Sequence, residues 1–399
     1  MKQLPAGWKE TTLGDVAIIN PTESIKKGEV AKNIPMDFLD NFTRKISKYT
    51  EKQFSWGMKF RNWDTLFARI TPCLENGKTA YVDILDDWEI AFWSTEYIVI
   101  REKKESSNGM FLYYLSVSPS FRDIAIKAMT WTSWRQRVQT DVLVNTKLLL
   151  PLLLPEQQAI AAVLSSFDDK IELLRVENQT LEQMGQELFK ERFGKWKVGD
   201  ELPEGWRAGK IEDLTNYIAS WGTPATKESS YYGWRINWFS TKELQDCFLF
   251  SSEKAITEDA LKNSSAKEFP KDTVLMAIYA APTVWRLWIL TQPSAFNQAA
   301  VGLVAKDDIW MPFIYLLLKF HRDNLNNLAN WAAQQNLNVS LVKKYEIIIP
   351  DQESLSKFNL VIKPLFNKIG ANSEQIQSLS ATRDQLLPKL MSWEMRVEF

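Results

Sequence analysis

Apolar positions along the chain follow two regimes, and the succession from one to the other occurs twice. From about residue 5 to 150, and again from about 203 to 345, they come in short runs and alternations such as Thr79–Val82, Tyr97–Ile100 and Thr273–Ile278, a pattern that suits strands. Each region closes on an apolar run that meets a proline and an acid, Leu154-Pro155-Glu156-Gln157 in the first and Ile349-Pro350-Asp351-Gln352 in the second. Proline near a first helical turn with an acid beside it favours a helix start. Beyond that point the spacing changes to alternating fours and threes. Ile160, Leu164, Phe167, Ile171, Leu174, Asn178, Leu181, Gly185 and Leu188 form one series. Ile362, Leu365, Ile369, Asn372, Ile376, Leu379, Arg383, Leu386 and Leu390 form the other. Sustained over about four heptads, such spacing predicts a coiled-coil seam, with a polar residue inside it fixing register. Two such helices in one chain can pair antiparallel. The bland alternative is two helices packed on separate domain cores. A further stretch, Trp310–Leu328, reads as an amphipathic helix carrying His321.

The regimes repeat because the sequence does. Leu4-Pro5-Ala6-Gly7-Trp8-Lys9 returns as Leu202-Pro203-Glu204-Gly205-Trp206-Arg207, 198 residues later (202 less 4). The same offset takes Gln136 to Gln334 and Phe167-Asp168-Asp169-Lys170-Ile171 to Leu365-Phe366-Asn367-Lys368-Ile369. That period is far too long for a solenoid and indicates two tandem copies of one module.

Composition narrows the chemistry. The 399 residues exceed one ordinary core, and 45% apolar with 24% charged residues describes a globular chain. Met1–Glu10 has no signal-peptide character, and the longest apolar stretch, Leu148–Leu154, is far short of a membrane span. Two cysteines, Cys73 and Cys247, give no disulfide framework, so a cytoplasmic location is expected. With a single histidine, His321, a Ser-His-Asp or Cys-His site is nearly excluded and the commonest metal ligand is scarce. Glycine-rich phosphate loops and clustered Cys/His are missing from the sequence. No catalytic residue, metal site or cofactor of the chain's own is expected. The net charge of −1 is neutral on nucleic acid, which needs a local basic surface and not a basic total.

The two Leu-Pro-x-Gly-Trp openings, Leu-Pro-Glu-Gln-Gln-Ala-Ile-Ala at 154–161 and Arg383-Asp384-Gln385-Leu386-Leu387-Pro388-Lys389-Leu390-Met391-Ser392 resemble, in order and duplication, the DNA-specificity subunit of type I restriction–modification systems. Asp64 to Lys78 also looks like a known type of target recognition domain. The resemblance implies an α+β chain with two tandem α/β target recognition domains, separated by long helices that pair as an antiparallel coiled coil. The corresponding division is 1–152, recognition domain 1; 153–196, spacer helix 1; 197–348, recognition domain 2; 349–399, spacer helix 2. It further implies a non-enzymatic subunit reading an asymmetric bipartite site on double-stranded DNA. Two methyltransferase subunits would dock on it, with S-adenosylmethionine bound to them, and motor-nuclease subunits would join. The partners would flip the target adenine out of the duplex to methylate it. A helix of about 30 residues, ~45 Å long, would be a ruler for half-sites ~34 Å apart.

Residue types that read base edges or phosphates then become candidates. The first copy offers Arg69, Thr71, Asn76, Lys78 and Thr79 in a Pro- and Gly-containing turn, and Arg135, Gln136 and Arg137 in a second turn. The second copy offers Thr223, Lys227, Lys242 and Arg286, with Gln334, Gln335 and Asn336 standing where the first has its arginines. A solvated surface loop is the competing account of each. Tyr231 and Tyr232 read as partly buried packing, and no second carboxylate partners Asp64 or Glu75 for acid–base work. Against these readings stand a coiled-coil adaptor with no DNA role and a self-contained methyltransferase, the latter lacking an Asn-Pro-Pro-Tyr or cofactor glycine motif.

One oddity remains. Seventeen tryptophans outnumber fifteen glycines, although glycine is ordinarily about 7% of residues. Trp63, Trp134, Trp221, Trp285, Trp288, Trp331 and Trp393 stand where turn chemistry would call for glycine, whereas Trp8 and Trp206 belong to the repeated opening. UGA codons decoded as glycine by the source organism would account for the first group; a tryptophan-rich surface is the alternative.

Overall fold

The computed structural model describes residues 5–93, 95–132, 135–243, 248–278, 286–306, 309, 311–331 and 338–399. The chain forms two compact units, residues 1–171 with 378–399, and residues 172–377.

In the first unit, β1 (Trp8–Thr12) pairs antiparallel with β8 (Lys147–Pro151), tying the start of the module to its end. Between them lies an antiparallel sheet of β2 (Ala17–Ile19), β3 (Thr65–Ala68), β4 (Thr79–Tyr81) and β5 (Tyr97–Glu102), in the order β2-β5-β3-β4. Leu66 faces Val99 and Phe67 faces Ile98. All of β3 and β4 and the first four residues of β5 are buried, so these strands are covered on both faces instead of alternating between core and solvent. Helix α1 (Gly109–Val117) packs on β3, β4 and β5, followed by α2 (Pro119–Lys127). A second sheet of Val30–Asn33, Thr50–Gln53, Met58–Phe60 and Ala91–Trp93 approaches through Phe60, which meets Tyr97 edge-on. Strands β6 (Met129–Thr132) and β7 (Arg135–Val138) form an antiparallel hairpin, so Arg135–Arg137 is strand and not the turn its composition indicates.

The second unit repeats the plan. Strand β9 (Arg207–Lys210) pairs with β14 (Glu346–Ile349). Strands β10 (Thr215–Ala219), β11 (Val274–Ala277), β12 (Leu287–Leu290) and β13 (Ala300–Ala305) stand in the order β10-β13-β11-β12, with a short strand Phe248–Leu249 added beside β12. Helix α4 (Met311–Phe320) covers this sheet, then α5 (Arg322–Trp331) follows. The stretch expected as one amphipathic helix is thus two helices meeting at His321, and α4 is buried continuously from Met311 to Leu318. A helix lying on a sheet inside a core needs no polar face.

The long helices are α3 (Leu154–Phe193) and α6 (Gln352–Met391), 40 residues each. At 1.5 Å per residue each is ~60 Å long, longer than the heptads require. Their last turns continue because Phe189 and Phe193, and Leu387, Leu390 and Met391, are buried in the cores. In the first unit Asp168 of α3 meets Arg383 of α6; in the second, Asn178 meets Asn372. Both pairs place a later residue of one helix against an earlier residue of the other, so the helices run antiparallel. None of the twelve seam positions Leu164, Phe167, Ile171, Leu174, Asn178, Leu181, Ile362, Leu365, Ile369, Asn372, Ile376 and Leu379 is exposed. Asn372 Nδ2 donates to Asn178 Oδ1 (2.9 Å) and Glu177 Oε2 (3.0 Å), while Asn178 Nδ2 donates to Ser373 Oγ (3.1 Å).

Each repeated opening has one job. Gly7 and Gly205, at φ +88° and +80°, turn the chain so that the next tryptophan points at the start of a long helix. Trp8 Nε1 donates to Glu156 Oε1 (3.1 Å), and Trp206 Nε1 donates to Asp351 Oδ2 (2.8 Å). The acid beside the proline is therefore the tryptophan's acceptor. Arg396 also reaches Glu156 (2.9 Å).

Candidate nucleic-acid interface

In the first unit the two sequence candidates, about 65 residues apart, form one continuous strip. Strand β3 ends at Ala68, and the chain folds through residues 69–78 before entering β4. The N–H of Val138 donates to the carbonyl of Arg69 (2.9 Å), Arg69 Nε donates to the carbonyl of Val138 (3.0 Å), and the N–H of Thr71 donates to the carbonyl of Gln136 (3.3 Å). The hairpin β6–β7 is thereby stitched to the loop. The loop holds its own shape through Leu74 N–H to Ile70 O (3.0 Å), Asn76 N–H to Pro72 O (2.9 Å) and Lys78 N–H to Cys73 O (3.0 Å). Gly77 is required: its φ is +69°, and a Cβ there would lie 2.4 Å from the Phe42 ring.

Side chains divide by accessibility. Asn76 and Glu75 are exposed at the loop tip, while Arg69, Thr71, Lys78, Gln136 and Arg137 are half-buried. Lys78 Nζ donates to the carbonyl of Met36 (2.8 Å), which holds the ammonium head in place with its other protons left to donate. Arg137 pairs with Glu96 (2.6 Å). Arg135 lies in β7, and its side chain is outside the described residues. Thr79 must be corrected. It is 1% exposed, at the base of a small pocket shared with Tyr113, Tyr114, Arg122 and Asp168, because the first residue of β4 points into the core. No base can reach it there. Two residues that sequence reasoning passed over complete the strip. Arg122 of α2 stacks on Phe42 (5.0 Å) and donates through Nη2 to the carbonyls of Leu74 (3.0 Å) and Glu75 (3.1 Å), so it holds the loop from beneath. Glu96 orients Arg137. Neither has a local sequence signal, since each acts on a segment far away in the chain.

Asp64 is no free base. It is fully buried and takes two bonds from Arg101, at Nε and Nη2 (2.6 Å each). Burial pushes its carboxyl up, and Arg101 pulls the other way.

In the second unit Arg286 is exposed and precedes β12 as Lys78 precedes β4. The correspondence is backbone-exact in pairing: Ala277 N–H donates to the carbonyl of Arg286 (3.1 Å), as Ala68 N–H does to that of Lys78 (3.2 Å). Both copies thus carry a cation at one equivalent place, at the end of the sheet. Lys227 is exposed; Thr223 is half-buried and hydrogen-bonds Gln298. Lys242 lies in a short 3-10 turn, Thr241–Glu243, with its side chain outside the described residues. Gln334, Gln335 and Asn336 also lie outside them. Tyr231 and Tyr232 are half-buried, packing near Trp238 and Ile256. Among the described residues no group of His, Cys, Asp and Glu could hold a metal, and no helix is long and apolar enough to cross a membrane.

Comparison with known proteins agrees with this duplicated plan. A family model described as the type I restriction modification DNA specificity domain matches twice, at residues 5–183 and 203–380. The chain is 31% identical to the type I restriction enzyme MjaIX specificity subunit of Methanocaldococcus jannaschii, over 61% of this chain and 59% of that relative. It is 24% identical to the HindI specificity subunit of Haemophilus influenzae, across 97% of this chain and 99% of that one. The crystal structure of a type I restriction-modification S subunit from M. genitalium superposes over 100% of this chain and 98% of its own, with a TM-score of 0.58 at 15% identity.

Proposed function

The chain belongs to the type I restriction–modification DNA-specificity family, and on that footing we propose that it reads a bipartite, asymmetric site on double-stranded DNA and carries two methyltransferase subunits to it. Recognition domains at 1–152 and 197–348 each read one half of the site, and spacers at 153–196 and 349–399 carry the long helices on which the partners dock. One observation bears the most weight: the equivalent placement of Lys78 and Arg286 at the same sheet end of two copies of one module. A cation in a fixed place can reach phosphate or a guanine edge. Around Lys78, the loop tip with Asn76, the hairpin with Arg135, Gln136 and Arg137, and the flanking Arg69 and Thr71 supply donors and acceptors of the kinds that discriminate bases. Thr223, Lys227, Lys242, Gln334, Gln335 and Asn336 serve the second half-site.

The chain itself performs no bond chemistry in this reading. Adenine methylation, with S-adenosylmethionine, belongs to the methyltransferase partners, and cleavage to the motor-nuclease subunits, all in the cytoplasm. Coexpression with a methyltransferase subunit, followed by mapping of methylated adenines, tests the proposal. A bipartite pattern with a fixed gap is expected, together with salt-dependent duplex binding. A complex that forms and methylates no bipartite site overturns it, and the absence of salt-dependent duplex binding would favour a coiled-coil adaptor.

A further inference from the structure

Three tryptophans hold a backbone conformation that tryptophan does not favour. Trp63, Trp88 and Trp393 have φ of +75°, +66° and +54°. Only six non-glycine residues among those described lie in the left-handed region, and the others are Asn20, Phe42 and Asp272. Asn and Asp are tolerated there, but a bulky aromatic is an outlier. Half of the set being tryptophan is out of proportion to 17 tryptophans in 399 residues.

The surroundings of each are those of a glycine turn. Asp64 N–H donates to the carbonyl of Arg61 (3.3 Å), which closes a four-residue turn with Trp63 in third place. Glu89 N–H donates to the carbonyl of Asp86 (3.1 Å), which closes another with Trp88 in third place. A positive φ in third place is the requirement that reserves this position for glycine in type II turns. Trp393 stands two residues beyond Met391, the end of α6, where helices commonly finish on a left-handed glycine. The indoles contribute little in return: Trp88 is 89% exposed and Trp63 57%. Trp63 lies tilted against Tyr81 (6.0 Å) and Trp393 edge-on to Trp8 (5.9 Å), while most of the Trp63 and Trp88 rings face solvent. By contrast Trp8 and Trp206 have ordinary backbone and donate their indole N–H to Glu156 and Asp351. Trp288 is also buried, within β12, with ordinary backbone, so it does not share the signature. Trp134 and Trp285 lie outside the described residues, as does the side chain of Trp331, and Trp221 has no positive φ.

We propose that residues 63, 88 and 393 are glycine in the protein its own cell makes, specified by UGA codons which that cell's translation system reads as glycine. Trp8 and Trp206 are true tryptophans, encoded by UGG. A consequence concerns a surface pocket of about 600 Å³ whose walls include Trp63 and Trp88. With glycine at both positions two of its walls are gone and it opens further to solvent.

The gene and the native protein decide the matter. UGA at 63, 88 and 393 with UGG at 8 and 206 is expected, and UGG at the three overturns the proposal. Peptide masses from protein purified out of the source organism should carry glycine at these positions; tryptophan there overturns it whatever the codon. In the full chain, W63G and W88G should each raise the thermal midpoint by roughly 2 °C through relief of left-handed strain, while W206G lowers it. A fall at both 63 and 88 would show that the indoles are native to those turns.

Discussion

His321 is the chain's single imidazole, which makes its chemistry unusually easy to isolate. Burial at the junction of α4 and α5, beside the Tyr345 hydroxyl (3.2 Å), lowers its pKa to about 4. The fold therefore prefers the neutral ring. The associated stability is fully present above the ordinary value of 6.5 and is lost as pH falls through about 4. It amounts to roughly 2–3 kcal/mol. The one imidazole resonance in an NMR titration should move with a midpoint near 4, and H321Q should flatten the stability loss across that window. A midpoint near the ordinary value would refute the burial argument. Asp351 behaves in the same direction: hydrogen bonds from Ser354 and Trp206 hold its carboxyl below the ordinary aspartate range, so D351N should matter least at acid pH. The sequence shows that there is one imidazole to follow. Burial is not legible. Thr79 looks like its neighbours Asn76 and Lys78 in a list of polar side chains, yet the first residue of β4 faces inward. Only the pairing of β3, β4 and β5 determines that.

Heptad spacing revealed the two long helices, because apolar residues at threes and fours need a partner seam. What spacing could not reveal is which polar residues meet. Asp168 accepts from Tyr114 (2.7 Å) as well as Arg383, and both carboxylate and guanidinium are largely shielded from water. R383A leaves that carboxylate without its cation and should cost about 3–5 kcal/mol, measured by denaturant unfolding. The reversed pair, D168R with R383D, should recover part of it; no recovery would mean that Arg383 matters for packing alone. The asparagine layer should respond differently. Replacing Asn178 by Ile and Asn372 by Leu, the residues the repeat itself uses at the equivalent positions Ile376 and Leu174, should leave the midpoint unchanged or raised, since apolar replacement of a buried polar layer is often neutral or stabilising. A large drop would show that the layer contributes stability and not only register.

Duplication is the feature that the sequence displayed most fully, and it shapes what the whole molecule can do. Repeated words survive wherever the fold needs them, as Trp8 and Trp206 do. Outside those words the copies diverge, as the stretch 69–78 and the stretch leading to Arg286 do. Substituting Lys78 or Arg286 by alanine should therefore have local consequences: each variant should relax methylation at one half of the target and leave the other half unchanged. If the lost contact is to phosphate, the salt slope falls by about 0.9 without a change of sequence preference. Equal loss at both halves would contradict the division of labour. The seam carries a consequence for inheritance. At the 198-residue offset, Asp168 corresponds to Phe366 and Arg383 to Gly185, so the ion pair of the first unit is matched by Phe366 lying 3.8 Å from the Gly185 Cβ position in the second. Each helix is thus complementary to the other and mismatched to a copy of itself. A genetic crossover that leaves both helices whole keeps both layers, whereas one that replaces the second half of α6 by the second half of α3 sets the buried Asp168 against glycine. Exchanges whose breakpoints stay out of the helices are therefore expected to leave the fold intact, and breakpoints within them to weaken it.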